Sequence, residues 1–430
     1  MVSEGSDFEF VQLGSVCAKI GSGATPRGGN HVYFKDGPCA LIRSQNVYNG
    51  GFHCEGLVFI DKSHAHQLRN VEVMRGDILL NITGDSVARC CQVDPKILPA
   101  RVNQHVAIIR PESNKLDPKF LRYYLISPDV QAKLLLLAGS GATRPALTKA
   151  MIESLIVQAP KDVAEQRAIA SILGALDDKI ELNRQMNHTL EKMAQALFQS
   201  WFVDFDPVWA KKEGRQPFGM DADTAALFPD DFEESELGLI PAGWSVQNVS
   251  DVCRFEYGKS LKAELRRCGE IPVYGSNGQI GLHNQALVKG PGIIVGRKGN
   301  PGTVTWSSSD FFPIDTTFYV EPTLPVKSMH FIFYWLRTFA FSSLNSDSAI
   351  PGLNRNMAYM EKGVVPNVEA IQVFDRTVRP LKELMEINAR QHRTLESIRD
   401  ALLPKLLSGE LRVPVDAENV DAQEVTLHDA

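Results

Sequence analysis

The sequence predicts an α+β protein in which two copies of a mixed α/β domain are separated by a pair of long helices. The second half of the 430-residue chain repeats the first: FLRYYL at 120–125 returns as FIFYWL at 331–336, and LTK at 147–149 returns as LNR at 353–355. A heptad pattern of apolar residues follows each copy. The repeat offset, about 205 to 211 residues, indicates a duplicated domain, and internal pseudo-symmetry suits a target that comes in two halves.

The two predicted mixed domains are residues 1–161 and 243–367. Short apolar runs bounded by Gly, Asn, Asp and Pro predict strands, for example at 40–42, 106–109, 293–295 and 318–320. A helix is predicted at 117–137, where Asp117-Pro118 opens an amphipathic stretch, and its counterpart at 328–344.

Residues 162–203 and 368–411 are the two predicted long helices. Asp162 can cap the first, with Glu165 completing a capping box, and Pro380 indicates a kink or a later start in the second. Apolar residues recur at steps of four and three, and Asn183, Asn187, Asn388 and His392 fall in the middle of this pattern. The predicted seam residues are Ile169, Leu173, Leu176, Ile180, Leu190, Leu197, Phe374, Val378, Leu381, Met385, Leu395 and Leu402.

An exposed apolar stripe is costly, so we expect the two helices to pack against each other as an antiparallel coiled coil with the asparagines fixing the register. The alternative is that each helix packs on its own domain.

Two acidic segments account for the net charge of −6. Residues 204–236, within the predicted linker 204–242, carry a net charge of −7, and residues 414–430, within the predicted flexible tail 412–430, carry −5. The rest of the chain is therefore at +6, which permits nucleic-acid binding without demanding it.

Motifs of catalysis are missing from the sequence. There is no phosphate-binding loop, no nucleophile elbow and no adenine-methylation motif, so no catalytic residue and no cofactor is predicted. His64 and His66 have no placed third ligand, and no metal site is predicted. Seven cysteines without a Cys-x-x-Cys pair, and an N-terminus unlike a signal peptide, favour the cytoplasm.

Several motifs resemble type I restriction-modification specificity subunits over nearly the whole chain. EQRAIASIL at 165–173 and LDDKIELN at 176–183 are similar to the central conserved region of that family. FVDFDP at 202–207 and GLIPAGW at 238–244 resemble the linker into the second half, and LLPKLLSGEL at 402–411 resembles the end of the distal conserved helix. Segments 76–80 with 103–107, and 272–278 with 296–299, resemble the variable target-recognition domains.

The resemblance implies a DNA-recognition subunit without catalysis of its own. Each recognition domain would read one half of a split double-stranded DNA sequence, with the helices as a ruler between the halves. The helices would also dock two methyltransferase subunits, and later the translocating nuclease subunits.

Base reading needs Arg, Lys, Asn, Gln or Thr on exposed loops, with other basic groups on phosphates. Candidates in the first domain are Arg27, Arg43, Gln45, Asn46, Arg89, Arg101, Asn103, Gln104 and Arg144. Candidates in the second are Lys259, Lys262, Tyr274, Ser276, Asn277, Arg297, Lys298, Asn300, Thr317 and Arg355. Trp201 and Trp244 are expected in the core instead.

Two other functions remain open at this point. The chain could be a divergent DNA methyltransferase or nuclease, which a cofactor-binding assay would reveal. It could also be a structural coiled-coil scaffold that binds only proteins, which a DNA-binding assay would exclude.

Overall fold

The computed structural model describes residues 7–139, 144–323, 327–344 and 352–414. The chain divides into two compact units: residues 1–181 with 392–430 form unit 1, and residues 182–391 form unit 2. Each unit therefore contains one predicted domain together with half of each long helix. The predicted acidic tail lies outside the described residues from position 415 on.

Unit 1 is built on two four-stranded sheets. The first is antiparallel, with the strand order Cys17–Ser22, Val106–Pro111, Ile78–Asn81, Cys90–Gln92. The second is mixed, with the order Val58–Ile60, Cys39–Ile42, Ala100–Val102, Glu72–Val73. Two smaller antiparallel pairs are Phe8–Gln12 with Ile156–Pro160, and Val47–Tyr48 with Gly51–Phe52. The domain helices are Lys62–Gln67, Pro118–Ile126, Pro128–Gly139 and Lys149–Glu153.

Unit 2 repeats the first of these sheets with the same connections. Its antiparallel order is Cys253–Tyr257, Thr317–Pro322, Gly292–Gly296, Val304–Ser307. A three-stranded sheet has the order Gly278–His283, Ile271–Gly275, Phe312–Pro313, and Ser245–Asn248 pairs with Lys362–Val365. The domain helices are Val249–Val252, Met329–Leu336 and Arg355–Met360. The fold is thus α+β, with one topology used twice.

Helix-capping side chains account for part of the sequence repeat. Thr148 and Asn354, the middle residues of the LTK and LNR repeats, accept hydrogen bonds from the first turn of the short helices that follow them. Asp117 and Ser328 cap the other repeated helix in the same way. A side-chain oxygen at this position accepts hydrogen bonds from backbone N–H groups that the first turn of a helix otherwise leaves unpaired. Both copies of the repeat therefore have a capping residue at the start of each of these helices.

The helix predicted at 117–137 is two helices. Pro128 has no N–H to donate and restricts the residue before it, so the first helix ends at Ile126 and the next begins at Pro128. The helix predicted at 328–344 is also shorter: it ends at Leu336, close to where the Thr338 hydroxyl donates to the carbonyl of Trp335.

The two long helices are Val163–Phe202 and Val368–Ser408. Pro380 lies inside the second helix, exposed to solvent, so it does not mark the start. Asp162 accepts a hydrogen bond from the N–H of Ala164, but Glu165 forms no capping box and instead pairs with Arg412. All twelve predicted seam residues are buried or half-buried. No helix in the described part of the chain combines the length and the hydrophobicity of a membrane span.

Within each unit the two helix halves run antiparallel and contact each other. In unit 2, Asn183 donates to Gln391 at 2.9 Å and Asn388 donates to Asn187 at 2.9 Å. In unit 1, Leu173 shares a core with Leu406. The same cores contain residues of the mixed domains, so each helix half packs both on its partner and on a domain.

The predicted linker is folded within unit 2. It contains the helices Asp206–Lys212 and Ala222–Ala226 and a hairpin of Phe232–Ser235 with Gly238–Pro241. Phe228 from this segment is fully buried and packs edge to face on Trp201, while Trp244 completes the cluster, which agrees with the expectation that both tryptophans are core residues. The sequence did not predict this packing, because the aromatic residues of the linker occur at irregular intervals among acidic residues.

A buried ion pair holds together the first sheet of unit 1. Asp77 is fully buried and accepts hydrogen bonds from Arg110 at 2.6 and 2.7 Å. Replacing Arg110 with Ala leaves an unpaired buried carboxylate, so we expect the free energy of unfolding to fall by about 3–5 kcal/mol. Urea denaturation measures this loss.

A double variant, Asp77→Asn with Arg110→Met, serves as the control. It removes both charges, and it should therefore be more stable than Arg110→Ala alone. Equal stability of the two variants would contradict the role assigned to the ion pair.

Candidate DNA interface

An open cleft in unit 1 brings together several predicted readers. Its volume is about 620 Å³, and Gln45, Arg89 and Arg144 line it. Further polar residues of the wall were not predicted: Ser44, Tyr48, Thr83, Ser86, His105 and the acidic Asp85. Donors and acceptors of this kind, spread over several loops, are what contact with base edges and phosphates requires.

Arg89 occupies a constrained position in this cleft. Its guanidinium lies 5.0 Å from the centre of the Tyr48 ring, a cation–π distance. The preceding residue, Ala88, has a left-handed backbone with φ of 70°, which is uncommon outside glycine. Ala88 is held there by hydrogen bonds to Asn81 and Gln131. Backbone strain that surrounding contacts maintain is typical of functional sites.

Three other candidates in unit 1, Arg43, Gln104 and Arg27, do not line the cleft. Arg43 donates to the carbonyl of Gly56 at 2.6 Å and lies over the Tyr33 ring, and Gln45 shares the same carbonyl. Gln104 is exposed and hydrogen-bonded to His105, whose other ring nitrogen is 2.6 Å from the Thr83 hydroxyl. Arg27 is exposed on the loop after Cys17–Ser22.

Four predicted readers are buried and occupied by structural contacts. Arg101 lies opposite Glu72 across two strands and pairs with it at 3.1 Å. Asn46 donates to the carbonyls of His53 and Glu55, Asn103 accepts from the N–H of His105, and Thr317 donates to the carbonyl of Ile314. Base reading requires exposed groups, so these four are set aside from the proposed interface.

In unit 2, two of the predicted arginines converge on one tyrosine. The guanidinium groups of Arg297 and Arg355 each lie 4.9 Å from the centre of the Tyr257 ring, and this side chain is 47% exposed. Arg297 also donates to the carbonyl of Asp315. Tyr257 was missed because one aromatic residue at a strand end gives no signal until the fold brings the arginines to it.

The remaining candidates of unit 2 lie on neighbouring loops, except Tyr274, which lies in the strand Ile271–Gly275. Ser276 and Asn277 form the turn between this strand and Gly278, whose φ of 97° requires glycine. The hydroxyl of Thr303 donates to the carbonyl of Ser276, which joins this turn to the loop with Lys298 and Asn300. Lys259 and Lys262 are exposed on the segment after Tyr257.

The two units place some of their basic candidates on corresponding connections of the repeated sheet. Arg89 lies between the third and fourth strands in sheet order, as do Arg297 and Lys298 in unit 2. Arg27 follows the first strand, as do Lys259 and Lys262. Sequence alone could not align these loops, because they differ in length and composition.

Comparison with known proteins identifies the class. The chain matches the family described as "Type I restriction modification DNA specificity domain" over residues 5–192 and 241–357, the two copies of the repeat. The chain therefore belongs to this family and is a type I restriction-modification specificity subunit. The divergent-enzyme and scaffold functions are not favoured.

Individual relatives agree with this assignment. The HindI specificity subunit of Haemophilus influenzae is 28% identical over 94% of this chain and 100% of its own. The MjaIX specificity subunit of Methanocaldococcus jannaschii is 26% identical over 73% of this chain and 74% of its own. The crystal structure of the S subunit of a type I system from M. genitalium has the same fold, with a TM-score of 0.61 at 16% identity, over 94% of this chain and 97% of that one.

Proposed function

We propose that this chain reads a two-part DNA sequence, with residues 1–161 contacting one half and residues 243–367 the other. The observation that carries the proposal is the duplication: one sheet topology presents basic residues on the same connections in each copy. A duplex with two half-sites is a target that two similar readers in one chain can match. The chain would act in the cytoplasm as a recognition subunit with no catalytic residues of its own.

The long helices would hold the two readers at a fixed spacing. The first long helix has 40 residues, so it is about 60 Å long at 1.5 Å per residue. We expect the centres of the half-sites to lie about one turn of the duplex apart, about 10 base pairs, so that both readers face the same side.

Exposed apolar residues on these helices support docking of two methyltransferase subunits. Leu182 and Met193 are each 49% exposed on the first helix, and Ile387 and Ile398 are 57% and 42% exposed on the second. Each residue of the second pair lies 205 positions after its counterpart, the offset of the helix repeat. Two equivalent apolar patches fit two copies of one partner, and the translocating nuclease subunits would join later.

Replacing Leu182 and Ile387 with Asp tests the docking surface. Both side chains are exposed, so the fold should persist, while a charge placed in an apolar interface should abolish binding of the methyltransferase subunits. Co-purification measures this. The matched control is Leu136→Asp, at an exposed position of unit 1 outside the long helices. Undiminished co-purification of the double variant would place the docking site elsewhere.

Single replacements of Arg89 and Arg297 with Ala test the readers. Loss of a base contact costs about 1–3 kcal/mol of discrimination, so each variant should relax one half of the recognised sequence and leave the other unchanged. Mapping of methylated adenines in cells that carry the complete system gives the readout.

The control for this experiment is Arg69→Ala, which removes one exposed positive charge of unit 1 outside the cleft. It should leave the methylated sequence unchanged. If Arg89→Ala and Arg297→Ala also leave it unchanged, the proposed interface is wrong.

A further inference from the structure

In both units a tyrosine of the repeated helix contacts a carboxylate of the first long helix. The hydroxyl of Tyr123 donates to Asp177 at 2.8 Å, and that of Tyr334, the equivalent residue, donates to Glu191 at 3.1 Å. Each tyrosine belongs to a mixed domain, whereas each carboxylate belongs to the helix beneath that domain. Each unit therefore has a polar contact between its domain and the first long helix, although Asp177 and Glu191 are not equivalent positions of the helix repeat.

In unit 1 this contact is the centre of a larger network. Asp177 also accepts hydrogen bonds from Arg122 at 2.7 Å and from Arg399 of the second long helix at 3.0 Å. Burial alone would raise the pKa of Asp177, but the charge of Arg122 and the donated hydrogen bonds outweigh it and hold the pKa below its usual value. One carboxylate thus joins the domain to both helices in its charged form.

The network of unit 1 extends to the reading cleft. Arg122 donates to the carbonyl of Asn49 at 3.2 Å, and the side chain of Asn49 accepts from the N–H of Cys90 at 2.9 Å. These two backbone positions adjoin Tyr48 and Arg89, which line the cleft. A short chain of hydrogen bonds therefore runs from Asp177 to the loop that carries a candidate reader.

In unit 2 the corresponding network is centred on a lysine. The ammonium group of Lys382 lies 2.6 Å from Glu191 and within 5.7 Å of the ring centres of Trp306, Phe333 and Tyr334. The same carboxylate accepts from Arg337 at 2.8 Å. Trp306 belongs to Val304–Ser307, the strand that follows the loop with Arg297. This network therefore reaches the strand that adjoins the loop with Arg297.

Asp177 and Lys382 are equivalent residues of the helix repeat, 205 positions apart, yet they carry opposite charges. We propose that they are positioning residues, each holding the reading loops of its own domain in place on the long helices. This inference depends on the proposed function. Neither residue would touch DNA; each acts through the domain it anchors.

A purely structural role makes a different prediction from a positioning role. Removing a buried partner destabilises the fold in either case. Only a positioning role predicts that the half-site read by the same unit also becomes less selective, since a misplacement of about 1 Å at a recognition site can cost up to about 100-fold. Melting temperature and the methylated sequence must therefore be measured together.

The experiment uses the full chain with its methyltransferase subunits. We expect Lys382→Met to increase methylation of sites mismatched in the half read by unit 2 by at least about tenfold, with the other half unaffected. Asp177→Asn should do the same for the half read by unit 1. Lys382→Arg should retain selectivity, and Lys405→Met, at an exposed position of the same helix, is the matched control.

Each result separates the possibilities. A lower melting temperature with an unchanged methylated sequence would overturn the positioning role, and so would equal relaxation of both halves. If Lys382→Met does not fold, Glu191→Gln breaks the same network while keeping the lysine, and an unchanged sequence in that variant overturns the proposal. If the wild-type complex methylates no two-part sequence, the proposed function itself fails.

Discussion

Exchange of residues 243–366 for the matching segment of a relative is expected to rewrite one half of the methylated DNA sequence and leave the other half intact. The exchanged segment carries the basic candidates of unit 2 and the sheet that presents them. Unit 1 keeps its own cleft and core. Mapping of methylated adenines before and after the exchange measures the effect on both halves at once.

The second long helix and the Glu191 region stay in place in this chimera, so the donor segment must fit them. A donor with a tyrosine at the position of Tyr334 preserves the contact with Glu191 and is the better choice. A change in both halves of the methylated sequence would contradict the assignment of one reader to each domain.

Lengthening both long helices is expected to lengthen the spacer between the two half-sequences. Four residues inserted after Glu181 and four after Gln391 fall at the boundaries of the compact units, so the contacts within each unit stay whole. Four residues add about 6 Å of helix, which corresponds to about two base pairs of duplex. The methylated sequence should keep both halves and gain one or two base pairs between them.

Insertion into one helix alone provides the control. It shifts the register of the pair, in which Asn187 accepts from Asn388, and should abolish methylation. A double insertion that leaves the spacer length unchanged would refute the idea that the helices act as a ruler.

Local chemistry made the fold largely predictable from the sequence. The runs at 40–42, 106–109 and 293–295 are strands because apolar residues are bounded there by turn formers. The heptad spacing predicted the long helices. The linker was predicted, but its folding was not, because burial of Phe228 depends on aromatic residues contributed by other elements.

The site was less predictable because it depends on which residues the fold brings together. Arg101 looked like a reader, but its strand lies beside Glu72, and a cross-strand ion pair occupies it. Tyr257, Arg297 and Arg355 come together from three separate segments of the sequence. Asp177 and Lys382 gave no signal at all, since a charged residue beside a heptad seam usually faces solvent.

The division of the chain into units also orders events during its synthesis. Unit 2 is one continuous stretch, residues 182–391, whereas unit 1 needs residues from both ends of the chain. Leu403, Leu406 and Leu407 complete the core of the N-terminal domain, yet they are made only after all of unit 2. At about 5–20 residues per second, the ribosome needs on the order of ten seconds or more to supply them. Of the two domains, the one translated first is therefore completed last. Loss of Leu403, Leu406 and Leu407 would remove part of the core of the N-terminal domain.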